Sequence, residues 1–430
     1  MYFFYNLSIV FLTILISPLL LFKVVTKKKY RMGLKQRLGL LPAGVKELQG
    51  KRPIWLHAVS VGEVNASLPL IKGIKERYPD IDMIVSTITA TGNMTARDKV
   101  KETDHIIFFP FDYPWIVKRV VEDINPRLFI TMETEIWPNF LKTLRSREIP
   151  SLILNGRISN RSFGRYRAAR FFMKQVLSCL SFLGMQTERD AERITAIGAE
   201  AEKVQVMGNI KFDASIPISK RDENRLKNSL GLLDHEEIMI AGSTHAGEEE
   251  KVLEMYRRIK KEHPSFILII APRHLERVRE IEELVQKSGF LPVRKTSLKK
   301  GLENSFRENN SVLILDTLGE LSGLYRISSL IFVGGSLMPD IGGHNILEPA
   351  VCKKPVFFGP YMDNFTEVAL TMKREGGGIQ IKNESEFFKK ADELLRDKKK
   401  YAELGIKAYQ AIQKNQGALL KSLEAVKKFI

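Results

Sequence analysis

The sequence predicts an α/β fold of two doubly wound halves, and three observations carry that prediction. Short apolar segments rich in Ile, Val and Phe alternate with stretches at helical spacing along most of the chain. This is the pattern of parallel sheets covered by helices on both faces. The alternation halts at a polar, proline-containing stretch over residues 213–225 (DASIPISKRDENR) and then restarts, as at a linker between domains. A length of 430 residues exceeds one ordinary core and suits two.

The first segment stands apart. Residues 2–22 carry no charge, long enough as a helix for a hydrocarbon layer of about 30 Å. Lys23, Lys27, Lys28, Lys29, Arg31, Lys35 and Arg37 follow it, and only the terminal amine precedes it. A cleavable leader carries basic residues in front and small residues at its cleavage site. The order here is that of an anchor with the C-terminal bulk on the cytoplasmic side of the membrane. A spanning helix and a half-inserted one meet these criteria alike; a buried core helix is the soluble alternative.

Strands are then expected at 53–60, 82–89, 105–111, 127–134, 151–155, 182–186 and 204–208. The helices are 64–78, with Val64, Leu68, Ile71 and Tyr78 on one face, then 114–124, one between 134 and 151, and 163–180. In the second half, strands fall at 238–242, 266–271, 312–316, 330–334 and 355–359, and residues 385–430 are nearly all helix. The expected organisation is an anchor (1–22), a first Rossmann-like domain (23–212), a linker (213–225) and a second such domain (226–430), with ligands in a cleft at the carboxyl ends of the strands.

A net charge of +17 favours an anionic partner: nucleic acid, an acidic membrane surface or a phosphorylated substrate. The aromatic interleaving of single-strand binders is not apparent, which disfavours nucleic acid. Cys179 and Cys352 are too few and too far apart for a disulfide framework or a zinc cluster. The seven histidines are scattered without ligand spacing, so no metal and no cofactor is expected. Asp80-Ile81-Asp82 precedes a strand, at the wrong end of a sheet to hold a metal–diphosphate, and reads as a solvated turn.

Five constellations fall where strands end. In His57-Ala58-Val59-Ser60-Val61-Gly62-Glu63, Ser60 and Glu63 have capping-box spacing; alternatively Glu63 is a base for an acceptor hydroxyl. Glu133 and Glu135, in Met132-Glu133-Thr134-Glu135, fall on one side of an extended segment, as one cap and one solvated acid or as functional carboxylates. Lys211 ends the last strand before the linker, facing an anionic donor or solvent. The glycine turn at Ala241–Glu248 offers backbone N–H groups to an anion, and Arg273 follows the next strand behind Pro272. Gly334-Gly335-Ser336 and Gly342-Gly343-His344-Asn345-Ile346-Leu347-Glu348 form a nucleotide-sugar pattern, distinct from GxGxxG and from a Walker loop.

The stretches HAVSVGEV, METEIWPN, NGRISNRS, QTERDAERI, GNIKFD, AGSTHAGEE, APRH, DTLGELSGLY and GGHNILEPA, in this order, resemble the 3-deoxy-D-manno-octulosonic acid (Kdo) transferases of lipid A biosynthesis. The resemblance implies a GT-B fold and inverting, metal-independent transfer of Kdo from CMP-Kdo to the tetraacylated, phosphorylated glycolipid precursor of lipid A. It implies a base at Glu63, a transition-state-stabilising acid at Glu133 and a cationic stabiliser at Lys211. CMP contacts are implied at Pro272, Arg273, Gly319, Glu320, Leu321, Asn345, Ile346, Leu347 and Glu348. The alternatives are a GT-B enzyme using another nucleotide sugar, separable by donor selectivity, and a non-enzymatic basic protein, excluded by turnover.

Overall fold

The computed structural model describes residues 1–26, 31–103, 105–213, 223, 226–228, 230–233, 236–298 and 310–430. It forms two compact units, Met1–Ala214 with Asn415–Ile430 and Ser215–Lys414. The basic flank at Lys27–Lys29 lies outside the described residues, as does the linker apart from Asp213 and Glu223.

The first unit holds a parallel sheet of β1 (Ile54–His57), β2 (Met83–Thr87), β3 (Ile106–Phe108), β4 (Leu128–Met132), β5 (Ser151–Gly156), β6 (Phe182–Met185) and β7 (Val204–Val206). Its order is β3-β2-β1-β4-β5-β6-β7. Strand β1 is buried throughout, and its side chains divide by parity. Trp55 packs with Phe109, Phe129 and Phe140 on one face, and Ile54 and Leu56 with Leu128 and Ile130 on the other. Burial on both faces explains why these strands read as continuous apolar runs. The order reverses at the β1–β4 pair, and ligands bind at the carboxyl ends of strands at such a switch point.

The final helix, Ala418–Lys427, belongs to this unit, not to the second domain as the sequence suggested. Ala418, Leu423 and Val426 join the core on the Leu56 side of the sheet. Leu423 lies over Gly73, where a Cβ would come within 2.8 Å of it. Arg77 pairs with Glu424 at 2.8 Å, and the Asp213 carboxylate accepts from the backbone N–H groups of Gly417 and Leu419 at 2.7 and 2.8 Å. A helix's apolar stripe shows that it is buried; it does not show which sheet it covers.

The second unit is likewise parallel, with β8 (Glu237–Thr244), β9 (Phe266–Pro272), β10 (Leu291–Arg294), β11 (Ser311–Ile314), β12 (Leu330–Val333), β13 (Val356–Phe358) and β14 (Gly378–Gln380) in the order β10-β11-β9-β8-β12-β13-β14. Its reversal lies at β8–β12. The edge strands β10 and β14 were not expected; they are short and only partly buried, so they lack the apolar signature. In the first unit the single helix expected over 163–180 is two, Asn160–Ala168 and Arg170–Leu177. Among the described residues, Tyr2–Thr26 is the one helix long and apolar enough to cross a membrane.

Candidate active site

In the first unit, the functional candidates gather at the carboxyl ends of β1 and β4. After β1 the chain enters the helix Val61–Arg77 with Ser60 as its N-cap, placing Glu63 in the first turn. The reciprocal capping box does not form, because the Ser60 side chain makes no bond to the helix backbone. Its Oγ donates instead to Glu63 Oε1 at 3.0 Å, and the Val59 N–H donates to Oε2 at 2.8 Å. Glu63 is 8% exposed.

Strand β4 ends at Met132, short of the expected Thr134. Glu133 follows with φ of 55°, a left-handed conformation that strains a non-glycine residue. This kink, not strand alternation, sets how the two acids are presented. Glu133 Oε1 lies 4.0 Å from Lys211 Nζ. Lys211 sits on the single turn Ile210–Asp213, beyond the end of β7, so it is carried by a turn and not by a strand.

That turn is fastened by amides the sequence reading did not single out. Asn155 Oδ1 accepts from the Ile210 N–H at 3.1 Å, and Asn209 Oδ1 from the Lys211 N–H at 3.0 Å. Gln186 links them, donating to the Asn155 carbonyl at 2.9 Å and accepting from Asn209 Nδ2 at 3.0 Å. The available signal was their position: polar residues at or just beyond the carboxyl ends of strands. His57 is fully buried; its Nδ1 lies 2.9 Å from Ser86 Oγ and its ring stacks on Phe109. Burial pushes it down to about 3, so it is a neutral core residue.

Burial, and then the charge of Glu133, push Glu63 up to about 8. Burial and Glu133 likewise raise Glu135 to about 7. Burial lowers Lys211 against the pull of Glu133. A carboxyl that titrates near neutrality both accepts and returns a proton readily. The folded state therefore retains protons that an unfolded chain releases above about pH 4.5. Stability falls as pH rises from there through about 8. Glu63→Gln removes one such group. Its melting temperature should gain on the wild type with rising pH, least near about pH 4 and fully above about pH 8. Melts across this range check it, and a pH-independent difference would contradict it.

In the second unit, Glu248 precedes the helix Glu249–Glu262 and is fully buried. Its Oε2 accepts from the N–H groups of His245 (3.1 Å) and Gly335 (2.6 Å), and its Oε1 from those of Ser336 (3.0 Å) and Leu337 (2.9 Å). The amides expected to cradle a ligand anion are thus taken by the chain's own carboxylate. Gly334 permits this approach, since a Cβ there would lie 2.8 Å from Glu248 Oε2.

Arg273 follows β9 and is exposed; it makes no ion pair among the described residues, and its N–H donates to the Thr244 carbonyl at 3.0 Å. Pro272 ends β9, buried. Beside Arg273 stand His245, His274 and His344. The Nε2 atoms of His245 and His344 are 2.8 Å apart, so one ring donates and the other accepts. Burial first, then neighbouring charge that includes Arg273, lowers both to about 4.

Gly319 turns with φ of 85°. Glu320 pairs with Lys295 and accepts from Thr317 Oγ1 at 2.6 Å, and Leu321 opens the helix Leu321–Ile327. Asn345 accepts from the Leu347 N–H and donates to Glu348 Oε1, both at 3.1 Å. Ile346 and Leu347 are fully buried, so only their backbone can meet a ligand. Each of these segments follows the carboxyl end of a strand: β9, β11 and β12.

Residues 32–214 match the family described as 3-Deoxy-D-manno-octulosonic-acid transferase (kdotransferase). A 3-deoxy-D-manno-octulosonic acid transferase of Haemophilus influenzae is 33% identical over 94% of this chain and 93% of its own length. A bifunctional glycosyltransferase/methyltransferase of Fusobacterium nucleatum is 34% identical over 88% of this chain, which spans 58% of that longer protein. Among solved structures, UDP-GlcNAc 2-epimerase from Neisseria meningitidis aligns with a TM-score of 0.57 over 87% of this chain and 100% of its own, at 14% identity. At that identity the likeness concerns the fold, a GT-B-like pair of Rossmann-like domains.

Proposed function

The chain belongs to the Kdo transferase family of glycosyltransferases, and from that premise we propose that it transfers Kdo, with inversion, from CMP-Kdo to the tetraacylated lipid A precursor (lipid IVA) at the cytoplasmic face of the inner membrane. The observation that carries the mechanism is the near-neutral, buried Glu63 at the switch point of the first sheet. The acceptor hydroxyl passes its proton to the Glu63 carboxylate as its oxygen bonds the anomeric carbon of Kdo. The bond from that carbon to the CMP phosphate breaks, and CMP leaves with the electron pair. Developing positive charge on the sugar is met by Glu133. Lys211 supplies the cationic stabilisation, held in place by the amides of Asn155 and Asn209.

The donor's nucleotide is assigned to the second unit, at Pro272 and Arg273, Gly319–Leu321 and Asn345–Glu348, with the buried Ile346 and Leu347 acting through backbone. The N-terminal helix is the membrane anchor, and the basic surface suits the acceptor's phosphates and an anionic leaflet. Incubation with CMP-Kdo and lipid IVA, followed by mass analysis, tests this reading. A product heavier by one or more Kdo residues is expected; no product, or product only with a UDP-sugar, refutes it.

Arg273→Ala should weaken CMP binding by about 1.5–3 kcal/mol, the worth of a hydrogen bond to a charged group, and leave acceptor binding near the wild-type level. Calorimetry with CMP decides this, and unchanged affinity would move the phosphate contact elsewhere.

A further inference from the structure

The N-terminal helix is fastened along its first half to the unit it belongs to. Tyr2, Tyr5, Asn6 and Ile9 are part-covered while Phe3, Phe4, Leu7 and Phe11 are exposed. The covered set has the i, i+3, i+4, i+7 spacing of one helical face. The Tyr5 hydroxyl donates to Asp112 at 2.8 Å, and Asn139 Nδ2 donates to Asn6 Oδ1 at 2.7 Å. Tyr2 packs edge-on against Phe172, and the Thr13 hydroxyl bonds that of Tyr113. Beyond the helix the chain returns to the same unit, where the Arg37 carbonyl accepts from the Phe111 N–H at 2.9 Å.

This arrangement bears on whether the helix spans. Of its 25 residues, those beyond Thr13 rise only about 20 Å at 1.5 Å each. A hydrocarbon core is about 30 Å thick. A helix docked through Thr13 therefore cannot cross it, and its amino end stays on the side of the unit it binds.

A pocket of about 360 Å³ adjoins the docked helix, lined by Asn6 together with Lys118, Lys142, Thr143, Ser146 and Arg147, with no carboxylate in its lining; Arg147 pairs with Glu122 beside it, and Lys142 lies over the Tyr2 ring. Exposed Trp115 stacks on Tyr113, the partner of Thr13, and exposed Phe171 neighbours Phe172. Exposed aromatics beside cations suit the boundary between lipid tails and headgroups.

We propose that the N-terminal helix is a monotopic anchor lying in the membrane interface, docked on its own unit, and that the Lys118–Lys142–Arg147 pocket seats the phosphate of an anionic phospholipid headgroup from the same leaflet. The proposal rests on the reading of this helix as the membrane anchor.

Two measurements on the full chain test it. In inverted inner-membrane vesicles, a protease-cleavable tag ahead of Met1 should be removed completely from outside; a protected tag on a chain whose remainder is digested means a spanning helix and overturns the proposal. In flotation, the purified chain should bind vesicles of phosphatidylcholine mixed with phosphatidylglycerol roughly tenfold or more tightly than phosphatidylcholine alone. Lys118→Glu with Lys142→Glu should abolish that preference while binding to neutral vesicles persists. Lys398→Glu with Lys399→Glu, the same change in net charge on the second unit, should retain it. Equal loss in both pairs reduces the pocket to general electrostatics and overturns its role. A wild-type chain that floats with neither vesicle refutes the anchor reading itself, and this proposal with it.

Discussion

Glu63→Gln should abolish transfer while leaving the protein folded. Glutamine keeps the shape and an oxygen that accepts the Val59 N–H, so the turn after β1 survives. What it loses is the capacity to take the acceptor's proton, which commonly costs about 10²–10⁴-fold in rate. In the wild type, the rate should climb with pH until Glu63 is ionised, near 8, and this acidic limb should vanish from the residual activity of the variant. Single-turnover transfer at saturating donor measures both. Glu133→Gln should also slow transfer, through loss of the charge facing Lys211, while the acidic limb remains and shifts downward because a neighbouring negative charge is gone. A Glu63→Gln enzyme with the wild-type rate would reduce Glu63 to a structural brace and make Glu133 the next candidate base.

Glu248→Ala should unfold the second unit, or bring it to the edge of unfolding, without touching the acids of the first. Four backbone N–H groups converge on this one carboxylate. Each buried donor left without a partner costs about 1–3 kcal/mol. Four together take a large share of the roughly 5–15 kcal/mol that stabilises a domain. Glu248→Gln should fall between, since its amide keeps one accepting oxygen and turns an NH2 group toward donors. Thermal melts and limited proteolysis report the effect; an alanine variant that melts with the wild type would show that water replaces the carboxylate.

The parts of this molecule legible in its sequence were those decided by neighbours along the chain. Buried on both sides, β1 and β4 appear as apolar runs, and Pro114 at the first turn marks the helix Pro114–Ile124 where it was expected. Glu63 was placed by its distance from the end of β1. Features that depend on remote partners were hidden. Lys211 stands where it does because Asn155 and Asn209 grip its turn, and a single strand-end asparagine does not announce a partner more than fifty residues away. Glu248 counted as the end of a glycine turn, yet it fills the turn after β12. Tyr2, Tyr5 and Asn6 counted only as uncharged residues in an apolar run, so the docking face on the N-terminal helix passed unnoticed. Charge counts do not register a hydroxyl's reach.

The return of the last helix to the first unit also sets a timetable for synthesis. Translation proceeds at about 5–20 residues per second, and the whole of Ser215–Lys414 is made between the two pieces of the first unit. For roughly 10–40 seconds, the nascent first sheet waits with the surface around Gly73 and Ile74 uncovered, because Leu423 and Val426 do not yet exist. The second unit has all its residues first, reversing the usual amino-to-carboxyl order in which domains mature on the ribosome. A nonsense codon after residue 414 would therefore injure the unit made earliest, leaving intact the one just finished.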